Sequence, residues 1–276
     1  MKVYIIASAK MEELYVRDWI DYHLSLGVDK IIINDNNNED YPYKLKDVIK
    51  EYIDSGKVIV ENYYKPHNEI NLIYSSLYNK YKNEFDWCAK LDIDEYLEIP
   101  ETNNDIKKFL SLDKFKNYDV IMLPWIIWKI NDNYNTYYLP INVKERCNKI
   151  SAEGYQYFFK CMIRSLDNDI EMSHHIPFID SKKMCISNGI GVQEAINKKI
   201  CCFNKTKATL FTDCYKALKF IKYTHLNHYR NLSVEEDYYK NIKIHNCEDK
   251  SLKEEHLYLF KEPRNLYKIY LESKCN

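Results

Sequence analysis

Four apolar runs, separated by segments of helical period, constrain the first hundred residues more than any other feature of this chain. The runs are residues 3–7, 30–34, 57–61 and 86–91. After the first, Val16, Trp19, Ile20, His23 and Leu24 recur at i, i+3, i+4, i+7 and i+8, and Gly27 offers a stop. Glu12 and Glu13 suit the first turn of that helix, where the dipole favours anions. Residues 44–54 allow a second helix, and Ile70, Ile73, Tyr74, Leu77 and Tyr81 mark a third. Strand and helix alternating at this spacing predict a parallel α/β sheet with right-handed crossovers. Ligands of such sheets sit beyond the carboxyl ends of the strands.

Three polar strand ends then converge on one edge: residues 8–12, 35–40 and 92–95. In the last of these, Asp92 and Asp94 flank Ile93. Carboxylates at i and i+2, where a strand leaves a sheet, can both reach one hard divalent cation. Such an ion binds a diphosphate and takes up charge as the diphosphate leaves. A solvated acidic pair is the bland alternative, and the convergence of the other two strand ends argues against it. There is no Gly-x-Gly-x-x-Gly and no Gly-x-x-x-x-Gly-Lys-Ser/Thr, so dinucleotide and P-loop readings fail.

Beyond residue 100 the pattern loosens. Residues 119–125, 139–146 and 156–164 read as further strands. His174 and His175 are adjacent, so a strand points them to opposite faces and at most one belongs to a site. A charged helix is expected from about Ser233. The tail, 250–276, has amphipathic helical character interrupted by Pro263, with Lys and Glu mixed and no basic stripe. Closure of the domain is its expected role, and peripheral docking on a membrane or a partner is the alternative. The predicted organisation is one domain over 1–232 and a helical extension over 233–276 packed on it.

Composition narrows the class. The formal net charge of −1 implies neither a nucleic-acid groove nor a strongly anionic membrane partner. Nine cysteines without a Cys-x-x-Cys pair argue for free thiols in a reducing compartment, hence a cytoplasmic location. The apolar N-terminus is too short for a signal peptide, and no window of eighteen uncharged apolar residues exists for a spanning helix.

With these residues assembled, the chain resembles glycosyltransferases of the GT-A fold, in their family-2-like and family-92-like branch. Four motifs in order carry the resemblance. The first is Lys10-Met11-Glu12 with Trp19-Ile20-Asp21-Tyr22-His23 and Gly27-Val28. Asp35-Asn36 after an Ile-rich strand is the second, and Asp92-Ile93-Asp94-Glu95-Tyr96-Leu97 the third. The fourth is His228-Tyr229-Arg230 before Ser233-Val234-Glu235-Glu236. The resemblance covers roughly residues 3–35, 85–97, 141–164 and 222–240. After Trp125-Ile126-Ile127-Trp128 the chain departs from it: Lys-Ile-Asn-Asp-Asn stands where the family carries Gly and Ser, in the region that reads the acceptor.

The resemblance implies a Rossmann-like, mostly parallel central sheet flanked by helices. It implies Mn²⁺ or Mg²⁺, a nucleoside-diphosphate sugar as donor (UDP-linked) and a glycan or glycolipid hydroxyl as acceptor. Asp94 is the expected metal ligand, with Asp92 on the metal or the donor ribose. His228 is the expected protein nitrogen on the ion, since imidazole suits Mn²⁺. Arg230 is expected to pair with the diphosphate. Ala7, Lys10, Glu12 and Asp35 are expected around the nucleotide, although an Asp after a strand is also a common turn former. An inverting transfer needs a carboxylate base near the acceptor hydroxyl. Glu145 and Glu153 both lie in the right part of the chain, and nothing in the sequence selects between them. Trp19, Tyr22 and His23 read as core. Two rival classes remain: a nucleotidyltransferase, which would carry a Gly-rich basic loop after the first strand, and a non-catalytic sugar-binding module on the same fold.

Overall fold

A computed structural model describes residues 1–66, 69–151, 158–204, 208–211, 219–242 and 264–274. The chain opens with β1 (Val3–Ala9), α1 (Val16–Ser25), β2 (Lys30–Asp35), two short helices α2 (Leu45–Val48) and α3 (Lys50–Asp54), β3 (Val58–Glu61), α4 (Ile70–Tyr81) and β4 (Trp87–Lys90). β3, β2, β1 and β4 lie side by side in parallel, as the alternation predicts. Gly27 ends the first crossover with a φ of +93°, a conformation costly for any residue with a Cβ. The predicted 44–54 helix is divided at Ile49, whose φ of −119° interrupts it.

The sheet then changes character. β5 (Glu95–Glu98), β6 (Val120–Ile130), β7 (Cys147–Ile150), β8 (Phe159–Arg164), β9 (Met184–Ile186), β10 (Cys201–Asn204), β11 (Ala208–Phe211) and β12 (His225–Asn231) follow in sequence. β8 joins β4 antiparallel, and β6 joins β8 antiparallel. β12 pairs antiparallel with β5, while β10 and β11 form a separate pair. The result is a mixed α/β sheet: a parallel Rossmann-like half continued by an antiparallel half.

Chain-contact geometry divides the protein into two units, Met1–Ile126 with Ala152–His228, and Ile127–Ser151 with Tyr229–Asn276. The sequence reading divides the chain at 232/233; the second unit comprises 127–151 together with 229–276.

In the first unit, α4 lays Ile73, Tyr74, Leu77, Tyr78 and Tyr81 against Tyr4, Ile6 and Ile32 of the parallel strands. Each large side chain so buried contributes about 1.5–3 kcal/mol. In the second unit, residues 139–146 are not the strand expected of them. Val143–Arg146 forms a helical turn instead, because the Asn142 side chain accepts from Lys144 N at 2.9 Å and caps it; the strand, β7, starts only at Cys147. The charged helix predicted from Ser233 is present over Val234–Asp237 with a Ser233–Glu236 capping box, and it continues as a π-turn over Tyr238–Ile242. A helix covers Leu266–Lys274. The rest of the predicted tail, with Pro263, lies outside the described residues.

Candidate active site

The acidic motif occupies the turn between β4 and β5, at the carboxyl end of the parallel strands. Glu95 closes that turn twice: its N–H donates to Asp92 O at 3.1 Å, and its carboxylate accepts from Asp92 N at 2.9 Å. Helix α1 fixes the strand that follows. Trp19 Nε1 donates to Glu95 O at 2.8 Å, Tyr22 Oη to Leu97 O at 2.8 Å, and His23 Nε2 accepts from Leu97 N at 3.3 Å. The Trp-Ile-x-Tyr-His motif is thus a clamp on the backbone beside the acidic turn, which gives its core reading a specific purpose.

The two aspartates turn to different partners. Asp92 accepts from Tyr74 Oη at 2.6 Å and from Lys160 Nζ at 2.6 Å. Asp94 Oδ2 stands 3.2 Å from His228 Nε2, and His228 lies opposite Glu95 in the β12–β5 ladder. A tethered ammonium from β8 stands at Asp92, so the two carboxylates face different charges in this structure. Among the described residues, no three His, Cys, Asp or Glu side chains are gathered in the manner of a complete metal cage.

Burial and charge oppose each other throughout. Burial works to raise the Asp92 carboxyl, but Lys160 and Lys90 hold it well below the usual carboxylate range. Glu95, fully buried with Oε1 3.8 Å from Lys160, is pushed up by burial and by Asp92 and Asp94. Lys160 keeps its proton against burial because Asp92 and Glu95 face it. Burial depresses the His228 imidazolium, yet Asp94 outweighs it and raises the group.

Behind the pair stands an aromatic wall. The Trp125 ring lies 4.3 Å from His228 and 5.4 Å from His175, and Phe158 stacks on His175 at 4.8 Å. The turn carrying His175 is pinned by Lys90, which donates to Ser173 O at 2.7 Å and to His174 O, and by Lys160, 3.3 Å from His174 O. Burial and the two lysines push His175 down to about 3, so its imidazole is neutral. The His175 ring joins this wall.

The other expected residues fall differently. Asp35 is a loop former: one oxygen accepts from Asn37 N at 3.0 Å and the other from Leu45 N at 3.1 Å, the turn-capping alternative to nucleotide binding. Asn34 and Asn36 pair their side-chain amides with the backbone of Tyr63 and Lys65, extending the β2–β3 edge. Ala7 is buried within β1, Lys10 is half-buried in the bend after it, and the Glu12 carbonyl starts α1 by accepting from Tyr15 and Val16 N. Arg230 lies on β12 two residues beyond His228. Glu145 is exposed on the helical turn of the second unit, whereas the acidic turn belongs to the first. Glu153 lies outside the described residues.

Sequence reasoning missed Lys160, Lys90, Tyr74 and Trp125. A signal existed for Lys160: a lysine inside Phe158-Phe159-Lys160-Cys161-Met162-Ile163 must find an anion when that run is buried.

The donor chemistry at Asp94 and His228 suits a hard-to-borderline divalent ion. A carboxylate oxygen and an imidazole nitrogen 3.2 Å apart have about the spacing of adjacent ligands around an ion with bonds of roughly 2.1 Å. Among the described residues His228 Nδ1 is buried without a hydrogen-bond partner, and Asp94 and the Trp125 face flank the ring.

Comparison with known proteins shows the family of the chain. The model of glycosyltransferase family 92 matches residues 7–262. A glycosyltransferase family 92 protein of Oryza sativa subsp. japonica is 29% identical over 103 residues, which are 36% of this chain and 17% of the rice protein. The match thus spans about a sixth of that relative's length. Among solved structures, TarS of S. aureus in complex with UDP aligns over 60% of this chain and 47% of its own, at 12% identity and a TM-score of 0.38. A CMP:2-keto-3-deoxy-manno-octonic acid synthetase bound to CTP aligns over 60% and 75%, at 14% identity and a TM-score of 0.35.

Proposed function

The chain belongs to glycosyltransferase family 92, and on that premise we propose that it is a metal-dependent transferase using a nucleoside-diphosphate sugar. It moves a hexose or hexosamine from a UDP-linked donor to a hydroxyl of a glycan or glycolipid, with inversion, on the cytoplasmic side of a membrane or free in the cytoplasm. Among the described residues, no helix is long and apolar enough to cross a membrane.

The observation that carries the reading is the Asp94–His228 pair, brought together at 3.2 Å at the carboxyl edge of the parallel strands. Asp94 and His228 would hold Mn²⁺ or Mg²⁺, with diphosphate oxygens and water completing the shell. When bound, the ion supplies charge stabilisation to the departing diphosphate. Asp92, held by Tyr74 and Lys160, keeps a fixed acceptor toward a ribose hydroxyl. Arg230, two residues beyond His228, is assigned to the diphosphate. Trp125 walls one side of His228 and keeps bulk water from that face. The base that deprotonates the acceptor is one carboxylate, Glu145 or Glu153, to be separated by replacing each with Gln. Family membership favours this reading over nucleotidyl transfer, and the intact Asp92, Asp94 and His228 favour it over a non-catalytic module.

The test is release of each donor's own nucleotide (UDP, GDP or CMP) across a panel of UDP-, GDP- and CMP-sugars, with and without Mn²⁺, for wild type and Asp94→Ala. Release from one donor, dependent on metal and lowered by about 100-fold or more in the variant, is expected. Silence across the panel together with no UDP binding would sink the transferase reading.

A further inference from the structure

A lysine that is 97% buried inside a strand is an expensive residue unless its charge has a use. Lys160 is 3% exposed on β8, between Phe159 and Cys161, which are fully buried. Its Nζ reaches Asp92 Oδ2 at 2.6 Å, Glu95 Oε1 at 3.8 Å and His174 O at 3.3 Å. The β4–β8 register, with Lys90 opposite Cys161, brings it to the acidic turn. It is therefore a cation that cannot dissociate, placed where an exchangeable cation would otherwise be drawn.

We propose that Lys160 is the resident counter-cation of this site: it positions Asp92 and, by its charge, keeps a divalent ion from settling at Asp94 and His228 until a nucleoside diphosphate adds negative charge. The inference rests on the metal-and-nucleotide reading above. In a poorly solvated site like charges repel strongly, so a fixed ammonium lowers the affinity for a free divalent ion. A bound diphosphate offsets that repulsion. Ion and nucleotide then strengthen each other's binding by the same factor, as linkage requires. Lys160 acts through Asp92 and through its field and is a positioning residue. Lys90, also buried, bonds two backbone carbonyls at the Ser173–His174 turn and adds its charge to the field at Asp92.

The experiment measures Mn²⁺ binding to the full chain by electron paramagnetic resonance, without nucleotide and with UDP, allowing for Mn²⁺ that UDP binds in solution. In wild type, Mn²⁺ alone binds weakly and UDP tightens it by about tenfold or more. In Lys160→Met, Mn²⁺ alone binds about tenfold more tightly than in wild type, and the gain from UDP shrinks. Lys160→Arg, which keeps the charge, retains the wild-type gain within about threefold. A lysine needed only for packing would leave metal-only affinity unchanged or weaken it, and that result in folded Lys160→Met or Lys160→Gln overturns the proposal. Should neither fold, wild type decides: UDP that binds yet leaves Mn²⁺ affinity unchanged also overturns it. UDP that binds neither with nor without Mn²⁺ refutes the nucleotide reading itself.

Discussion

Replacing Arg146 tests whether the glutamates of the Ser233-x-Glu235-Glu236 motif serve structure or chemistry. Arg146 and Glu236 are each 1% exposed, joined at 2.7 Å. The same Glu236 oxygen accepts from Ser233 N at 3.0 Å and Ser233 Oγ at 2.5 Å, and Arg146 Nε donates to Ile141 O at 3.1 Å. The guanidinium also lies over the Tyr138 ring. Arg146→Met takes the guanidinium away from a buried carboxylate that Ser233 also binds, a loss of about 3–5 kcal/mol. At roughly 2–4 °C per kcal/mol for a chain of this size, the melting point falls by about 6–20 °C. Removing both charges in Arg146→Met/Glu236→Leu takes away the stranded carboxylate and leaves mainly the lost cap, about 1 kcal/mol. Urea unfolding followed by Trp fluorescence and circular dichroism, over all four variants of the cycle, yields the coupling energy. UDP release by the folded double variant should stay within a few-fold of wild type. A single-variant loss below about 1 kcal/mol, or a double variant as damaged as the sum, refutes the stranded-charge argument. Activity abolished in a stable double variant would move Glu236 into the chemistry.

Two further outcomes follow from other parts of the fold. Asp29 accepts from Lys107 Nζ at 2.7 Å and Val3 N at 2.8 Å; burial raises its carboxyl, but these partners bring it below its ordinary value. A depressed carboxyl stabilises the fold above its unfolded pKa near 3.9, and that contribution is lost as pH falls through the folded value. Asp29→Asn should therefore cost up to about 1 kcal/mol at pH 6 and converge on wild type once pH falls below the folded value, by urea midpoints; a gap that persists there contradicts the ion-pair account. Cys202 is exposed, whereas burial pushes the Cys147, Cys161 and Cys185 thiols up to about 12. Peptide mapping after a short maleimide pulse at pH 7.5 should label Cys202 and leave those three until denaturant is added.

Much of the parallel half was legible because its information is local. The period of Val16, Trp19, Ile20 and His23, the Ile-rich run before Asp35 and the position of Asp92-Ile93-Asp94 at a strand end all reside within a dozen neighbouring residues. Residues 139–146 misled for a local reason as well: their alternation resembles a strand, but one Asn142 cap is enough to turn Val143–Arg146 into a helix. The motif at Asp35 is local, whereas the bonds its oxygens accept from Asn37 N and Leu45 N come from the fold of the loop.

What the sequence determined by itself was the order of strands and helices and the edge on which a site could form, since apolar periodicity and strand polarity follow from the chain's own neighbours. Tertiary structure alone decided which charge meets which. Lys160 finds Asp92 across 68 residues, His228 finds Asp94 across 134, and Arg146 finds Glu236 across 90. Those pairings depend on the β4–β8 and β5–β12 registers and on the folding of the second unit. A buried charge must take whatever counter-charge the register delivers, and no local pattern records which one that is.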